Sequence, residues 1–279
     1  MSPGGGNLSS MSPSPRPGLS LIVAVYERED FLERVLVSIE EQSFRDVEVV
    51  VADDGSGPGI RALIGRWQGR LVHPIVHEWH EDRGFRKTII VNRAVARSRA
   101  DYLVFIDGDC ILHHRFLERH ARRRRPRWVL SGRRVMLDEG LTARLTLDDI
   151  RSRRLERLAF WWPHAGQHDR KNGFYMPWLF ALRGRGRDDY SILGSNFSVH
   201  REDFLSVNGY DERIVGRGLE DNNLWARFIN SGVAIKPVTF EAIQYHCHHR
   251  SEPMPHDEAF IREFRETRET RTPHGIVKG

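Results

Sequence analysis

The chain has 279 residues, 39% hydrophobic and 29% charged, a balance that supports a full-sized buried core and excludes a disordered or fibrous protein. No apolar run approaches the roughly 20 residues of a membrane-spanning helix, and the N-terminus lacks the basic-then-apolar order of a secretion signal, so a cytoplasmic protein is expected. The net charge of +5 rests almost wholly on arginine, with lysine only at Lys87, Lys171, Lys236 and Lys278; phosphate suits such a surface, and a GC-rich genome explains it equally well.

Residues 1–18 are Gly, Ser and Pro with little to bury, which predicts a disordered tail. From Leu19 apolar runs alternate with helical patterns: LSLIVAVY, the helix REDFLERVLVSIEEQ, VEVVVADDGS, a helix over 59–67 and a strand near LVHPIVHEW. Phe31, Val35, Leu36 and Ile39 share one helical face, and the short connections predict right-handed crossovers onto a mostly parallel sheet. RKTIIVNRAVARSRA predicts another helix leading into the strand YLVFID. RFLERHARRRRPR reads as a helix stopped by Pro126, its arginines either a solvated face or a contact for nucleic acid or anionic lipid. RWVLSGRRVML reads as one strand and residues 142–160 as one amphipathic helix. The aromatic stretch from Phe160 to Phe180 has no clean period and reads as a binding loop, an interfacial segment at a membrane surface, or plain hydrophobic packing. Order returns with the strand ILGSNFSVH, the helix REDFLSV, the turn NGYDE, a helix over 219–230 and strands up to EAIQYHCHH. Residues 251–279 are expected to be a helical tail ending in disorder.

In an open α/β sheet ligands bind where the strands end at their carboxyl edge. Three features land there: Ala24 to Tyr26, the acidic turn Asp53-Asp54-Gly55-Ser56, and Asp107 with Asp109. Carboxylates gathered at one edge repel one another unless a cation or hydrogen-bond donors intervene. Asp-x-Asp spacing lets one carboxylate bind a metal and the other a ribose hydroxyl or metal-bound water, while an ordinary Asx turn is the other reading of so short a string. Cys110 and Cys247 stand far apart without CxxC spacing, which predicts free thiols. Glu220 and Asp221 open a helix, where acidic residues serve capping and the helix dipole or do chemistry. YHCHHR supplies His246, His248 and His249, metal-competent imidazoles in a chain that holds 14 histidines.

With these motifs in order, the chain resembles the family 2 glycosyltransferases of GT-A fold from about Leu19 to His249. Its last third looks like the C-terminal module of the galactosyltransferase and chondroitin-polymerase type. LIVAVYERED stands where that family has its first nucleotide-binding strand, VVVADDGS where it has the base-binding acidic turn, FIDGDC where it has Asp-x-Asp, and VGRGLEDNNLW where it has Gly-Gly-Glu-Asp-Asp. AVY departs from the usual Pro-Thr-Tyr, and GRGLED lacks the tryptophans of animal relatives, which leaves sugar preference open.

The resemblance implies an α/β GT-A domain over residues 19–250, a mostly parallel central sheet flanked by helices. It implies an inverting transfer of Gal, GalNAc or GlcNAc from a UDP-sugar to a hydroxyl of a bacterial surface glycan, free or lipid-linked, with manganese or magnesium bound. Asp53 then accepts from uracil beside Ala24 and Tyr26; Arg83 and Lys87 sit near the nucleotide, with a surface ion pair to Glu81 or Asp82 the alternative for Arg83; and Asp107 faces the ribose or uridine. Asp109 coordinates the metal with His249 and His246, a pair spaced like the family's Met or His followed three residues later by His. Asp221 is the base that deprotonates the acceptor and Glu220 binds a sugar. Gly194, Ser195 and Asn196 line the donor-sugar pocket, while Gly209, Tyr210 and Asp211 shape a turn. The enzyme is expected in the cytoplasm, with peripheral contact at the inner membrane face and no nucleic-acid partner. A retaining sugar or nucleotidyl transferase, an arginine-rich nucleic-acid-binding protein and an inactive scaffold are the rival readings.

Overall fold

In the computed structural model four apolar runs lie side by side: β1 (Leu19–Val25), β2 (Val47–Asp53), β3 (Ile75–Trp79) and β4 (Tyr102–Asp107). Residues 16–157, 170–179, 191–250, 259, 262–263 and 267–278 are described. β1 pairs in parallel with β2 and β4, and β2 with β3, in a register that sets Val25 against Asp53 and Ala24 against Asp107. The carboxyl ends of the central strands therefore stop at one level. Side chains alternate between faces: Leu21, Val23, Val49 and Val51 join one apolar cluster, Ile22, Val50 and Ala52 the other. In β1, β2 and β4 both faces are covered, which is why they read as nearly continuous hydrophobic runs, while the edge strand β3 carries His77 and Glu78.

Helices α1 (Glu29–Glu40) and α2 (Pro58–Gln68) cover the first face with Phe31, Val35, Leu36, Ile60, Leu63 and Trp67. α3 (Lys87–Arg97) covers the second with Ile90, Val91, Ala94 and Val95. β5 (Cys110–Leu112) and α4 (Phe116–Arg123) follow β4. Of the arginines of α4, Arg122 faces solvent, Arg119 lies over the Tyr175 ring at 5.2 Å, and Arg123 reaches the buried carboxylate of Glu241 at 2.7 Å.

Three expectations change. RWVLSGRRVML makes two strands, β6 (Trp128–Ser131) and β7 (Arg134–Met136), in different sheets. The break falls at Gly132, where an added Cβ would meet the Asn196 side chain at 2.3 Å. The single helix expected over 142–160 is instead α5 (Glu139–Arg144), α6 (Leu147–Arg151) and a 3-10 turn over Arg154–Glu156. Thr146 starts α6 afresh through a capping box with Asp149. ILGSNFSVH is strand only in β8 (Phe197–His200), because Asn196 turns back to donate to the Leu193 carbonyl.

β8 leads into α7 (Arg201–Ser206), then α8 (Glu220–Asn230), β9 (Ala234–Pro237) and β10 (Gln244–His246). Among the described residues the sheet order is β3-β2-β1-β4-β8-β6-β9, with β8 antiparallel to β4 and β6, and β5-β10-β7 forms a second, three-stranded sheet. In the small sheet Cys110, His246 and Met136 share one row, so the residue before Cys110, Asp109, arrives beside His246. Both cysteines are buried free thiols.

The tail expected over residues 1–18 falls mostly outside the described residues, as does much of the aromatic stretch 160–180 and of the helix expected after 250. The disorder expected at the far end does not reach 267–278, which is pinned by hydrogen bonds to Asn208, Asp211 and Asn230. No described helix is long and apolar enough to cross a membrane.

Candidate active site

The level strand ends leave a cleft of about 780 Å³ at the carboxyl edge, roofed by the start of α8 and by β10. Ala24, Tyr26, Lys87, Asp107, Asp109, Gly194, Ser195, Glu220, Asp221, His246 and His249 line it. Arg83, Asp53 and Asn196 do not. Arg83 stands out in solvent and pairs with Glu81 at 2.9 Å. Asn196 is buried, its amide donating to the Arg133 and Ala242 carbonyls while His120 meets its oxygen.

Asp107, which ends β4, and Asp109, just after it, are each met by a positive or protonatable partner. Lys87, the first residue of α3, reaches Asp107. Burial works against its charge, but Asp107, Asp221 and Glu220 outweigh that and hold its pKa above the ordinary lysine value. Oδ2 of Asp109 lies 3.0 Å from Nε2 of His249 and 3.2 Å from Nε2 of His246. Burial alone would raise the Asp109 pKa; the two histidines outweigh it and hold the carboxyl well below the usual carboxylate range.

The proton inventory of this triad fits a cation. Nδ1 of His249 faces the Arg250 carbonyl at 3.2 Å, and a carbonyl only accepts, so Nδ1 carries a hydrogen; Nε2 meets Asp109 through a second proton, which the hydrogen bond to Asp109 and its charge favour by raising the His249 pKa, or through a metal ion. Nδ1 of His246 is buried without a partner among the described residues. One carboxylate oxygen and two imidazole nitrogens form a mixed donor set better matched to manganese than to oxygen-preferring magnesium.

A second cluster, His113, His114 and Glu156, has similar spacing and a different proton inventory. His113 Nδ1 accepts from the Arg115 amide and His114 Nε2 from the Arg115 guanidinium, so both rings turn N–H groups to Glu156, at 3.5 and 2.5 Å. The His114 amide adds a third donor at 2.7 Å. This carboxylate is satisfied by protein alone.

In the same cleft Asp221 begins α8 but does not cap it. Its Oδ2 accepts from the Gly194 amide at 2.8 Å and its Oδ1 from the Tyr210 hydroxyl at 3.2 Å. Glu220 folds back to the Gly218 amide. Burial, then the neighbouring Glu220 charge, push the Asp221 carboxyl up to about 7 against the opposing pull of Lys87 and the Gly194 amide. Gly194 must be glycine here, since a Cβ would stand 2.4 Å from Oδ1 of Asp221.

At the other end the acidic turn divides its duties. Both oxygens of Asp53 are engaged inside the fold, by His77 at 2.8 Å and the Ser56 amide at 2.8 Å. The residue that reaches the cleft is Asp54, bonded to His80 at 2.7 Å and to the Arg86 amide at 2.9 Å. Tyr26 is half exposed at the rim, its hydroxyl on Asp82. The cleft also takes Arg134 and Met136 from β7 and Arg217 from the turn before α8. Nothing in the sequence marks Arg134, Met136 or Arg217 as cleft residues, whereas Asp54 stands beside Asp53 where a strand end turns successive side chains to opposite sides.

Known proteins agree with this architecture. Residues 20–141 match the model for glycosyl transferase family 2, and residues 185–250 that for the N-terminal domain of galactosyltransferase. The chain is 27% identical over 96 residues to the putative glycosyltransferase EpsH of Bacillus subtilis, spanning 33% of this chain and 26% of that protein. It is 22% identical over 280 residues to the uncharacterized glycosyltransferase YfnE of the same organism, spanning 83% of this chain and 65% of that one. The matches thus cover less than two thirds of either relative's length. The fold superposes on the mannosyltransferase PcManGT from Pyrobaculum calidifontis, solved in complex with GDP-Man and Mn2+, with a TM-score of 0.56 at 19% identity over 85% of this chain and 59% of that one. The first match carries Asp54, Lys87, Asp107 and Asp109 and the second Gly194, Asp221, His246 and His249, so the cleft is built from a stretch that matches glycosyl transferase family 2 and a galactosyltransferase-type stretch in the last third of the chain.

Proposed function

We propose that the chain transfers a hexose or N-acetylhexosamine (galactose, GalNAc or GlcNAc) from a UDP-sugar to a hydroxyl of a bacterial surface glycan, free or lipid-linked, with inversion at the anomeric carbon. The observation that carries this reading is Asp221: a carboxyl poised near 7, fixed through both oxygens, lining the same cleft as the Asp109, His246 and His249 triad. A base with that pKa is ionised for about half its population at neutral pH and keeps useful affinity for the proton it removes.

Lys87 contributes fixed positive charge where a diphosphate leaves, and its ion pair keeps Asp107 in place for a ribose hydroxyl. The bare backbone of Gly194 and the hydroxyl of Ser195 border the space beside Asp221 and suit a sugar ring. Asp54 takes the nucleobase role at the acidic turn. Asp109, His246 and His249 would hold manganese or magnesium, which supplies Lewis-acid neutralisation of a departing diphosphate. The neighbour solved with GDP-Man and Mn2+ supports a nucleotide sugar and a divalent ion as the general pattern.

A screen of nucleotide sugars for manganese-dependent release of UDP or GDP, with NMR on the product anomer, tests the reading. UDP release with an inverted product is expected. A retained anomer removes Asp221 as a simple base, and GDP release reassigns the base pocket.

A further inference from the structure

Tyr210 sits at the tip of a turn in which Asn208 and Gly209 take consecutive left-handed conformations, with φ of 66° and 70°. Such a turn is strained for Asn208 and holds its shape only where neighbours fix it. α3 and α8 supply part of the bracing: Asn92 exchanges two hydrogen bonds with the Tyr210 backbone, and Arg227 donates to the Val207 and Gly209 carbonyls. The rest comes from residues 267–278, more than sixty positions away. The Asn208 side chain donates to the Thr272 and Val277 carbonyls and accepts from the Val277 amide, while the fully buried Thr272 hydroxyl donates to Asp211 at 2.7 Å. Gly275 packs so closely that a Cβ would fall 1.7 Å from the Asn208 carbonyl oxygen.

We infer that segment 267–278 is a positioning element of the active site: by clamping Asn208 and Asp211 from behind it sets the Tyr210 hydroxyl on Asp221. This rests on the proposed role of Asp221 as the base. Among the described residues the clamp makes no hydrogen bond to Asp54, Lys87, Asp107, Asp109, His246 or His249; it reaches the cleft through the turn and the tyrosine, and it also holds Asn230 and Ser231 at the far end of α8. Glu220 on α8, Lys87 on α3 and Asp107 on β4 also face Asp221, and all three lie on elements outside the clamped turn. Loosening the clamp therefore removes one donor to the ionised carboxylate and leaves these charges in place. It raises the pH at which the base works and disturbs its aim.

The test compares Thr272→Val, Thr272→Ser, Tyr210→Phe and the Thr272→Val/Tyr210→Phe double variant for kcat, donor KM, the acid limb of kcat/KM, UDP binding by calorimetry and melting temperature. Thr272→Val should lower kcat about tenfold, a modest misplacement of a catalytic group, and move the acid limb upward, with UDP binding and donor KM within twofold. Thr272→Ser, which keeps the hydroxyl, should behave as wild type. Tyr210→Phe should reproduce the Thr272→Val profile, and the double variant should lose little more, because both act through one bond. A Thr272→Val protein that melts earlier but keeps its kcat and acid limb when folded overturns the inference, as do fully additive losses in the double variant. If Asp221→Asn turns over at the wild-type rate, the role of the base itself has failed, a different result from an inactive Asp221→Asn beside an unaffected Thr272→Val.

Discussion

The Gly194 amide donates to Oδ2 of Asp221 at 2.8 Å, joining two residues 27 positions apart side by side in the cleft lining. The contact needs the absence of a side chain at Gly194, where a Cβ would press on the same carboxylate. Gly194→Ala should lower kcat about 100-fold, as for a catalytic group displaced by about 1 Å, while UDP affinity measured by calorimetry stays within threefold. An alanine variant of wild-type turnover would separate Gly194 from the chemistry.

Asp221 itself supports predictions on rate and on stability. Its carboxyl is raised to about 7, so kcat/KM should rise with pH through that value before levelling. Asp221→Asn should cost about 10² to 10⁴ in kcat, the usual reach of a general base, with UDP binding kept. Because the folded pKa lies above the unfolded one, the favourable contribution of this group is complete below the unfolded value near 4 and is lost as pH climbs through about 7. The asparagine variant should therefore gain melting temperature over wild type at pH 8 and little at pH 4, a comparison that differential scanning calorimetry settles.

The opposite sign applies to Asp53. Its pKa is lowered, because hydrogen bonds from His77 and Ser56 outweigh burial, so it stabilises the fold above the unfolded carboxylate pKa and loses that effect as acid protonates it. Asp53→Asn should destabilise by about 1–3 kcal/mol at pH 7 through the buried partners left unsatisfied, with a smaller loss at pH 3. Asp54→Asn should instead weaken UDP binding about tenfold, the size of one hydrogen bond to a charged group. Equal nucleotide affinity in wild type and Asp54→Asn would return the base contact to another residue.

The two histidine clusters give a paired test. Asp109→Asn and His249→Ala should each abolish calorimetric manganese binding, and EDTA should remove UDP release. His114→Ala and Glu156→Gln should leave manganese binding intact and lower the melting temperature, since that cluster is a satisfied hydrogen-bond network. Manganese heat lost with the Glu156 variant would contradict the proton inventory given above.

Much of this was legible in the residues. The β1, β2 and β4 runs, the helix faces and the placement of Asp107 and Asp109 at a strand end follow from period and burial. Asp53 and Asp54 were separable only by which side of the strand end each faces, a matter of register with β1 that one strand does not reveal. Tyr210 read as a turn residue because its hydroxyl contact depends on α8 lying over it. The split of 142–160 hung on Thr146, whose capping box with Asp149 is visible in the sequence but competes with a continuous apolar face. Residues 267–278 have too little apolar content to predict packing; polar bonds to Asn208 and Asp211 hold them.

Strand β10 pairs with β5 on one side and β7 on the other, and this places Asp109, from the portion matching one family model, against His246 and His249, from the portion matching the other. Neither portion expressed alone carries the full donor set. An ion seated there would rivet the two segments together, so affinity for the cation and the cooperativity of unfolding would report one shared free energy.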